Sequence, residues 1–255
     1  MTLADIEPLT QDEFLGGRLR VWQPRRGYRA GVDPVLLAAS VTASAGQSVL
    51  ELGCGVGVAS LCLAARVPGL TLTGVEMQAD YAELARRNAL ENDLPLTVVA
   101  SDLRQLPHDL RQKRFSHVMM NPPYFNRQAG TASEDIGRDT ALGGDTPLAD
   151  WVDTGARRLA PKGYIWVIQR MERLPETLAL LDGRLGSVVV RPIAGRDGRS
   201  PERFLLCARQ EGRAAFQIAP TLIMHEGPSH QGDTESYTAD MRKVLRNGAS
   251  LPIRP

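Results

Sequence analysis

Four consecutive residues, Asn121-Pro122-Pro123-Tyr124, directly follow an apolar run that predicts a strand over 115–120. The side-chain oxygen of Asn121 and the carbonyl of Pro122 can both accept hydrogen bonds from one amino group, and the prolines fix the turn. Holding a planar amine in this way favours the geometry that exposes its nitrogen lone pair. Pro123 would contact the substrate, and Tyr124 offers a face on which a base can stack. The candidate catalytic residues are Asn121, Pro122 and Tyr124.

A glycine-rich turn lies where a strand predicted over 48–52 passes into a helix predicted over 58–67. Alternating glycines let the backbone approach a ligand, and the helix N-terminus offers free N–H groups. The dinucleotide fingerprint G-x-G-x-x-G would need another glycine at Val58 or Ser60, so the turn does not fit it. Glu51 suits a cationic, amine-bearing ligand better than a pyrophosphate. The candidate ligand-binding glycines are Gly53, Gly55 and Gly57.

Two further acids follow the next predicted strands. Glu76 ends the second strand, where a carboxylate can accept both hydroxyls of a ribose, and Asp102 follows the third. Because the carboxyl ends of parallel strands meet at one edge of a sheet, we expect these acids, with Met77 and Leu103 beside them, to lie near Glu51. One such acid alone is more often a solvated residue, but three in succession favour a ligand site.

The elements that must position these residues alternate, from Gln47 onward, between short apolar runs and helical patterns. This alternation is typical of βαβ units and a parallel sheet. The last two predicted strands, 187–193 and 203–208, are joined by a turn and should be antiparallel. We therefore predict an α/β fold with a seven-stranded Rossmann-like sheet, mostly parallel, that ends in a C-terminal antiparallel β-hairpin.

One domain should hold most of the chain. We predict a segment at 1–45 that covers the substrate and cofactor, a Rossmann-like core at 46–210, and an extension at 211–255 that packs on the core. The Gly-, Ser- and Asp-rich stretch at 128–145, directly after the catalytic motif, is a candidate mobile lid. Helical spacing of apolar residues between 145 and 158, including Trp151, predicts a core helix.

Composition excludes several classes of protein. With 255 residues, 43% of them hydrophobic, and 30 basic against 29 acidic side chains, the chain is not intrinsically disordered. No apolar stretch reaches the roughly 18 residues of a membrane helix, and no signal peptide is evident, so we expect a cytoplasmic protein. Three cysteines without C-x-x-C spacing give neither a disulfide framework nor a zinc site. The run 225–230 departs from the zincin spacing, so no metal is expected.

Three segments carry a resemblance to known enzymes. The acidic-x-Gly-x-Gly-x-Gly turn resembles the cofactor loop of S-adenosylmethionine-dependent methyltransferases, and residues 121–124 look like the Asn-Pro-Pro-Tyr motif of amino-methylating enzymes. Residues 26–37 resemble the N-terminal segment of bacterial tRNA1(Val) (adenine-37-N6)-methyltransferases. The resemblance implies that S-adenosylmethionine is the cofactor and that RNA, in particular tRNA, is methylated at N6 of an adenine. The implied cofactor-binding residues are Glu51, Gly53, Gly55, Gly57, Glu76, Met77, Asp102, Leu103, Asn121 and Asp33.

Individual roles for two acidic residues also follow from the resemblance. Asp102 would bond the adenine amine of the cofactor. Asp33 would cap the helix that carries Leu36 and Leu37, or contact the cofactor. Arginines that could contact RNA phosphates lie before this helix and at the tip of the C-terminal hairpin, although charge clusters are more often solvated faces. These are Arg25, Arg26, Arg29, Arg196, Arg199 and Arg203.

Other functions remain open at this stage. The amine could belong to a ribosomal RNA base or to a protein glutamine, and the chain could be a non-catalytic S-adenosylmethionine-binding module or a dinucleotide oxidoreductase. Release-factor glutamine methyltransferases share Asn-Pro-Pro-Tyr but carry a helical substrate domain, for which the 46 or so residues before the first strand are too few. RNA is favoured because a looped-out base needs no duplex unstacking. The oligomeric state is not predicted.

Overall fold

The computed structural model describes residues 9–124, 146–229 and 235–253, so the candidate lid at 128–145 lies outside the described residues. Within them, a hairpin of β1 (Leu9–Phe14) and β2 (Leu19–Pro24) precedes a nine-stranded sheet. The strands of the sheet are β3 (Ser48–Leu52), β4 (Thr71–Glu76), β5 (Thr97–Ala100), β6 (Phe115–Met120), β7 (Leu159–Arg170), β8 (Leu185–Arg196), β9 (Arg203–Gln210), β10 (Gln217–Ile218) and β11 (Leu222–His225).

The α-helices of the described residues lie before and between these strands and after the last one. They are α1 (Val32–Ser40), α2 (Val58–Arg66), α3 (Ala79–Glu91), α4 (His108–Gln112), α5 (Leu148–Arg158), α6 (Leu174–Leu181) and α7 (Ala239–Asn247). None of them is long and apolar enough to span a bilayer.

The sheet has the strand order β10-β8-β9-β7-β6-β3-β4-β5, and β11 also pairs with β8. The five strands β3 to β7 form a parallel part of the sheet. Strand β9 is antiparallel to both of its neighbours, β7 and β8. The α/β prediction, with a mostly parallel sheet and an antiparallel hairpin, is confirmed. The short strands β10 and β11 extend the sheet beyond the seven strands predicted. Because β4 and β6 flank β3, the strand order changes direction there, and a crevice opens beyond the carboxyl ends of these strands.

The core lies on both faces of the sheet, because its central strands are apolar on both sides. On β3, Val49 packs in a cluster with α1, α2 and α7, whereas Leu50 packs in a second cluster with α5. Met119 and Met120 alternate in the same way on β6. The two layers of helices therefore hold the strand ends, and the residues that follow them, in fixed positions.

Residues 235–253 pack against the N-terminal part of the chain. Arg18 donates to the carbonyl of Asn247 at 3.0 Å, and the Leu251 N–H donates to the carbonyl of Ala39 at 2.8 Å. A Cβ on Gly16 would lie only 2.8 Å from the carbonyl oxygen of Arg246. One cluster of buried hydrophobic side chains includes residues of the β1–β2 hairpin, of α1, of the sheet and of α7. The boundaries at 45 and 210 stay a prediction.

Candidate active site

A cavity of about 760 Å³ opens beyond the carboxyl ends of β3, β4, β5 and β6. Its volume is within the usual range for small-molecule sites. Most of the predicted site residues line it, namely Arg25, Arg26, Arg29, Asp33, Glu51, Gly53, Gly55, Glu76, Met77, Asp102, Leu103, Asn121, Pro122, Pro123 and Tyr124.

Three predicted site residues do not line this cavity. Gly57, at the N-cap of α2, has a φ of +92°, and a Cβ there would lie 3.3 Å from the side chain of Leu96, so it shapes the turn. Arg196 and Arg199 lie at a separate surface depression on the β8–β9 hairpin. Arg196 donates to the carbonyls of Glu226 and Gly227 and so holds its own surface loop.

The glycine turn packs closely on a helix of the opposite layer. Gly53 has a φ of +64°, and a Cβ there would lie 2.3 Å from the ring of Trp151 on α5. Trp151 is buried, as its helical spacing predicted, but it also lines the cavity. Its indole nitrogen is buried and has no hydrogen-bond partner in the described residues. Only glycine at position 53 allows the glycine turn to lie this close to the ring of Trp151.

Two buried carboxylates line the cavity on either side of the turn. Glu51 accepts hydrogen bonds from the backbone N–H and hydroxyl of Ser60, and burial raises its pKa to about 8. Glu76 accepts the N–H groups of Gly55 and Gln78, both at 2.9 Å, and burial raises its pKa as well. No cation pairs with either acid in the described part of the chain. Two buried acids without a counter-charge fit a ligand that brings an ammonium group and hydroxyl donors.

Asp102 lies just after β5, the third strand of the predicted series, but its carboxylate already has a partner in Arg104. Its carboxylate accepts the backbone N–H of Arg104 at 2.8 Å and pairs with the guanidinium of that residue at 2.7 Å. These bonds lower the pKa of Asp102. The carboxylate is therefore ionised and fixed in place at the cavity wall.

The turn of residues 121–124, which follows β6 and holds the predicted catalytic residues, presents two oxygen acceptors. Oδ1 of Asn121 is buried and has no hydrogen-bond partner in the described residues. The carbonyl of Pro122 accepts one hydrogen bond, from Nε2 of Gln169 at 3.1 Å. A buried acceptor without a donor is costly, so the arrangement fits a ligand that supplies N–H groups here.

Tyr124 contacts two side chains from other parts of the fold, and a third side chain pairs with one of these two. Its hydroxyl donates to Asp33, which also pairs with Arg203 at the start of β9, and the Arg170 guanidinium lies 5.6 Å from its ring centre. The prediction that Asp33 caps α1 is wrong, because the N-cap is Gly31 and the cap makes no side-chain hydrogen bond. Asp33 lies two residues after the N-cap, where its side chain lines the cavity instead.

The segment before α1 covers the glycine turn. Tyr28 lies against Gly55, since a Cβ there would be 3.7 Å from its ring. The hydroxyl of Tyr81 bonds both the N–H and the carbonyl of Tyr28, at 3.0 and 3.2 Å. Arg29 pairs with Asp12 of the hairpin at 2.5 Å. Arg25 and Arg26 are exposed at the mouth of the cavity.

Sequence reasoning missed the roles of four side chains, which are Tyr28, Trp151, Gln169 and Arg203. Gln169 had a usable signal, because it is a polar residue directly after an apolar strand run, as Glu76 is. The sequence predicts only a phosphate contact for Arg203, whereas in the structure it pairs with Asp33. No group of three or more His, Cys, Asp or Glu side chains in the described residues could hold a metal ion.

Comparisons with known proteins place residues 31–190 in the family described as methyltransferase small domain. A tRNA1(Val) (adenine(37)-N6)-methyltransferase of Shewanella baltica strain OS155 is 33% identical over 231 residues, which cover 87% of this chain and 92% of that protein. A protein of the same name from Porphyromonas gingivalis strain ATCC 33277 is 28% identical over 259 residues, covering 93% and 99%.

Solved structures of similar shape are also methyltransferases. A predicted O-methyltransferase of Agrobacterium tumefaciens matches with a TM-score of 0.69 and 25% identity, over 86% of this chain and 98% of that one. A 16S rRNA N2 methyltransferase of Thermus thermophilus, in complex with AdoMet and guanosine, matches with a TM-score of 0.58 and 20% identity, over 82% and 52%. At that identity the second match shows a shared fold.

Proposed function

Because this chain belongs to the methyltransferase small domain family, and within it to the tRNA1(Val) (adenine(37)-N6)-methyltransferases, we propose that it methylates N6 of an adenine in tRNA. The chain is an S-adenosylmethionine-dependent methyltransferase with a Rossmann-like fold. Its substrate class, RNA, follows from the names of its relatives, and tRNA is the member of that class that we propose. The cytoplasm is the proposed location.

We propose that the cavity holds the cofactor between the glycine turn and the segment that carries Tyr28. Glu51 would accept hydrogen bonds from its ammonium group, Glu76 from its ribose hydroxyls and Asp102 from its adenine amine. When bound, S-adenosylmethionine supplies a methyl group on a sulfonium sulfur. A Cβ on Gly53 would meet the ring of Trp151 and one on Gly55 would face the ring of Tyr28, so the glycines let the turn lie close to both rings at the wall of the proposed cofactor site.

The observation that carries the proposal is the unpartnered Oδ1 of Asn121 beside the carbonyl of Pro122. Both are acceptors, so together they select a group with two N–H bonds, such as the exocyclic amine of adenine. Their hydrogen bonds turn the nitrogen lone pair out of conjugation with the ring and hold it for attack. A nitrogen that had received the methyl group would be cationic and therefore acidic, so it would pass its proton to water and no strong base would be needed.

The surroundings of these acceptors suit a base on a flexible strand. Tyr124 would stack on the adenine, with its hydroxyl held by Asp33. Arg25 and Arg26 would contact phosphates at the mouth of the cavity, whereas Arg29 holds the covering segment through Asp12. Arg196 and Arg199, at the β8–β9 hairpin, would contact more distant phosphates of the RNA.

Methyl transfer to tRNA tests the proposal. Total tRNA from a strain without the gene is incubated with the protein and radiolabelled S-adenosylmethionine, then digested to nucleosides. We expect label in N6-methyladenosine, and none with Asn121→Ala, although that variant should bind the cofactor as the parent does. Asn247→Ala, a substitution at the end of α7, controls for the loss of an asparagine. Label in ribosomal RNA and none in tRNA would refute the proposed substrate.

A further inference from the structure

A buried glutamine on β7 lies beside the catalytic turn. β7 is parallel to β6, with Val167 opposite Met120, so Gln169 lies two residues further along, level with Pro122. Its side chain is fully buried. Its Nε2 lies 3.1 Å from the carbonyl oxygen of Pro122 and 3.5 Å from that of Pro123. The side chain of Gln169 thus ties the turn to the neighbouring strand.

The two prolines explain why a side chain makes this contact. The ladder between β6 and β7 ends at Met120, and neither Pro122 nor Pro123 has an N–H with which to continue it. The amide of Gln169 supplies a donor from the β7 side instead. Its Oε1 accepts the N–H of Arg170 at 2.7 Å, so a flipped amide would set oxygen against the proline carbonyl. The direction of the hydrogen bond is therefore fixed.

We infer that Gln169 is a positioning residue for methyl transfer and acts through the carbonyl of Pro122; the inference rests on the proposed function. A carbonyl oxygen has two lone pairs, and the bond from Gln169 occupies one of them. The other is left for an N–H of the substrate, at a position fixed relative to Oδ1 of Asn121. A displacement of about 1 Å in such a site lowers the rate by up to about 100-fold.

The free protein provides a first test that needs neither cofactor nor RNA. Gln169→Met keeps the side-chain volume but removes the donor, so the carbonyl ¹³C resonance of Pro122 should shift. Gln47→Met is the matched control. Gln47 accepts the Ser44 N–H at 2.8 Å just before β3, at the opposite end of the strands. An unchanged Pro122 resonance in Gln169→Met would overturn the inference.

Steady-state kinetics separate a positioning role from a merely structural one. Gln169→Met should lower kcat on the order of 10–100-fold, while KM for tRNA and Kd for S-adenosylmethionine stay within about twofold of the parent values. Gln47→Met should lose stability but keep kcat. A folded Gln169→Met protein with parental kcat would refute the inference, and so would a fall that is confined to KM.

The pH dependence of kcat provides a further test, because a packing defect alone would not change it. In Gln169→Glu the new carboxyl can donate to the Pro122 carbonyl when it is protonated and cannot when it is ionised. The ratio of its kcat to that of the parent should therefore fall as the pH rises through the pKa of the new group. A ratio that is independent of pH would contradict the inference.

Methyl transfer by the parent protein distinguishes a failure of the proposed function from a failure of the role inferred for Gln169. If it transfers label to N6 of adenine and Gln169→Met does so equally fast, the proposed function stands and the role of Gln169 fails. If the parent protein transfers no label to any RNA, the proposed function fails and the inference that rests on it fails too.

Discussion

The hydroxyl of Tyr124 donates a hydrogen bond to the carboxylate of Asp33, which precedes it by 91 residues. Arg203 pairs with the same carboxylate from the start of β9. Through these contacts the first turn of α1, the turn after β6 and the antiparallel hairpin meet at one point of the cavity. The aromatic ring that we propose as the stacking surface is thus held by residues outside its own loop.

Removal of this hydrogen bond should weaken binding of the RNA more than it slows the reaction. In Tyr124→Phe the ring remains, and Asp33 keeps Arg203 as a partner. One lost hydrogen bond of about 1 kcal/mol corresponds to roughly a fivefold rise in KM for tRNA. Steady-state kinetics would measure it, with Tyr237→Phe, outside the cavity, as control. A large fall in kcat at constant KM would contradict the positioning role of the hydroxyl.

The glycine turn should not tolerate a side chain at Gly53. Gly53→Ala combines a φ of +64° with a Cβ that would lie 2.3 Å from the ring of Trp151. We expect a loss of roughly 2–4 kcal/mol in the free energy of unfolding, measured by urea denaturation. Gly183→Ala is the matched control, because its φ is +70° and no atom lies within 4 Å of its Cβ position. It should lose only about 1 kcal/mol, from backbone strain alone.

The buried carboxyl of Glu51 should make stability depend on pH. Burial raises its pKa from 4.5 to about 8. The unfolded chain releases this proton near pH 4.5 and the folded protein keeps it until about pH 8, so the free energy of unfolding should fall as the pH rises between them, by up to about 5 kcal/mol. Glu51→Gln should flatten this fall in urea titrations at pH 6.5 to 8.5. Glu83→Gln, at an exposed position, should leave it unchanged.

The same carboxyl should couple binding of the cofactor to proton release. An ammonium group beside Glu51 favours its ionised form, so uptake of S-adenosylmethionine near pH 7 should release a proton. Calorimetry in two buffers with different ionisation enthalpies would measure the proton count. The release should disappear in Glu51→Gln. Equal binding enthalpies in both buffers for the parent protein would contradict the proposed contact.

His117 should limit stability at acidic pH. The indole nitrogen of Trp166 donates to its Nδ1 at 3.1 Å, so its Nε2 carries the hydrogen and donates to Gln47 at 3.0 Å. Burial lowers its pKa from 6.5 to about 4. The unfolded chain therefore binds a proton first, and the free energy of unfolding should fall by up to about 3 kcal/mol as the pH drops from 6.5 to 4.

The test of His117 has to exclude the opposite trend from Glu51 below pH 6.5. His117→Gln, made together with Glu51→Gln, should remove the acid dependence that Glu51→Gln alone retains. His108→Gln is the control, since the His108 side chain is largely exposed. An unchanged acid dependence in the His117 variant would show that other groups cause it.

The parallel part of the sheet could be predicted because its signals are local. The apolar run at Ser48–Leu52 and the glycines after it are contiguous in sequence, and the rule that strand ends meet brings Glu76 and Asp102 to the same edge. The hairpin of β1 and β2 was not predicted. Strands β10 and β11 are two and four residues long, too short for a periodic pattern.

The contacts that complete the site could not be predicted, because they depend on register between distant segments. The ion pair of Asp33 with Arg203 joins residues 170 positions apart in sequence. Gln169 lies beside Pro122 only because the register of β6 and β7 sets Met120 opposite Val167. The sequence around Asp33 also does not reveal whether Asp33 is the N-cap of α1 or, as in the structure, lies two residues after an N-cap at Gly31. A single sequence contains the residue types but not these alignments.

The packing of residues 235–253 on the N-terminal hairpin and α1 sets an order of events during synthesis. A ribosome releases Gly16 and Arg18 more than two hundred residues before Arg246 and Asn247, their contacts, are made. The nascent chain can thus form the glycine turn and the turn at 121–124, with Tyr28 already held by Tyr81, before the hairpin gains its contacts with residues 235–253. The contacts between the hairpin and residues 235–253 are long-range in sequence, and such contacts form more slowly than local ones.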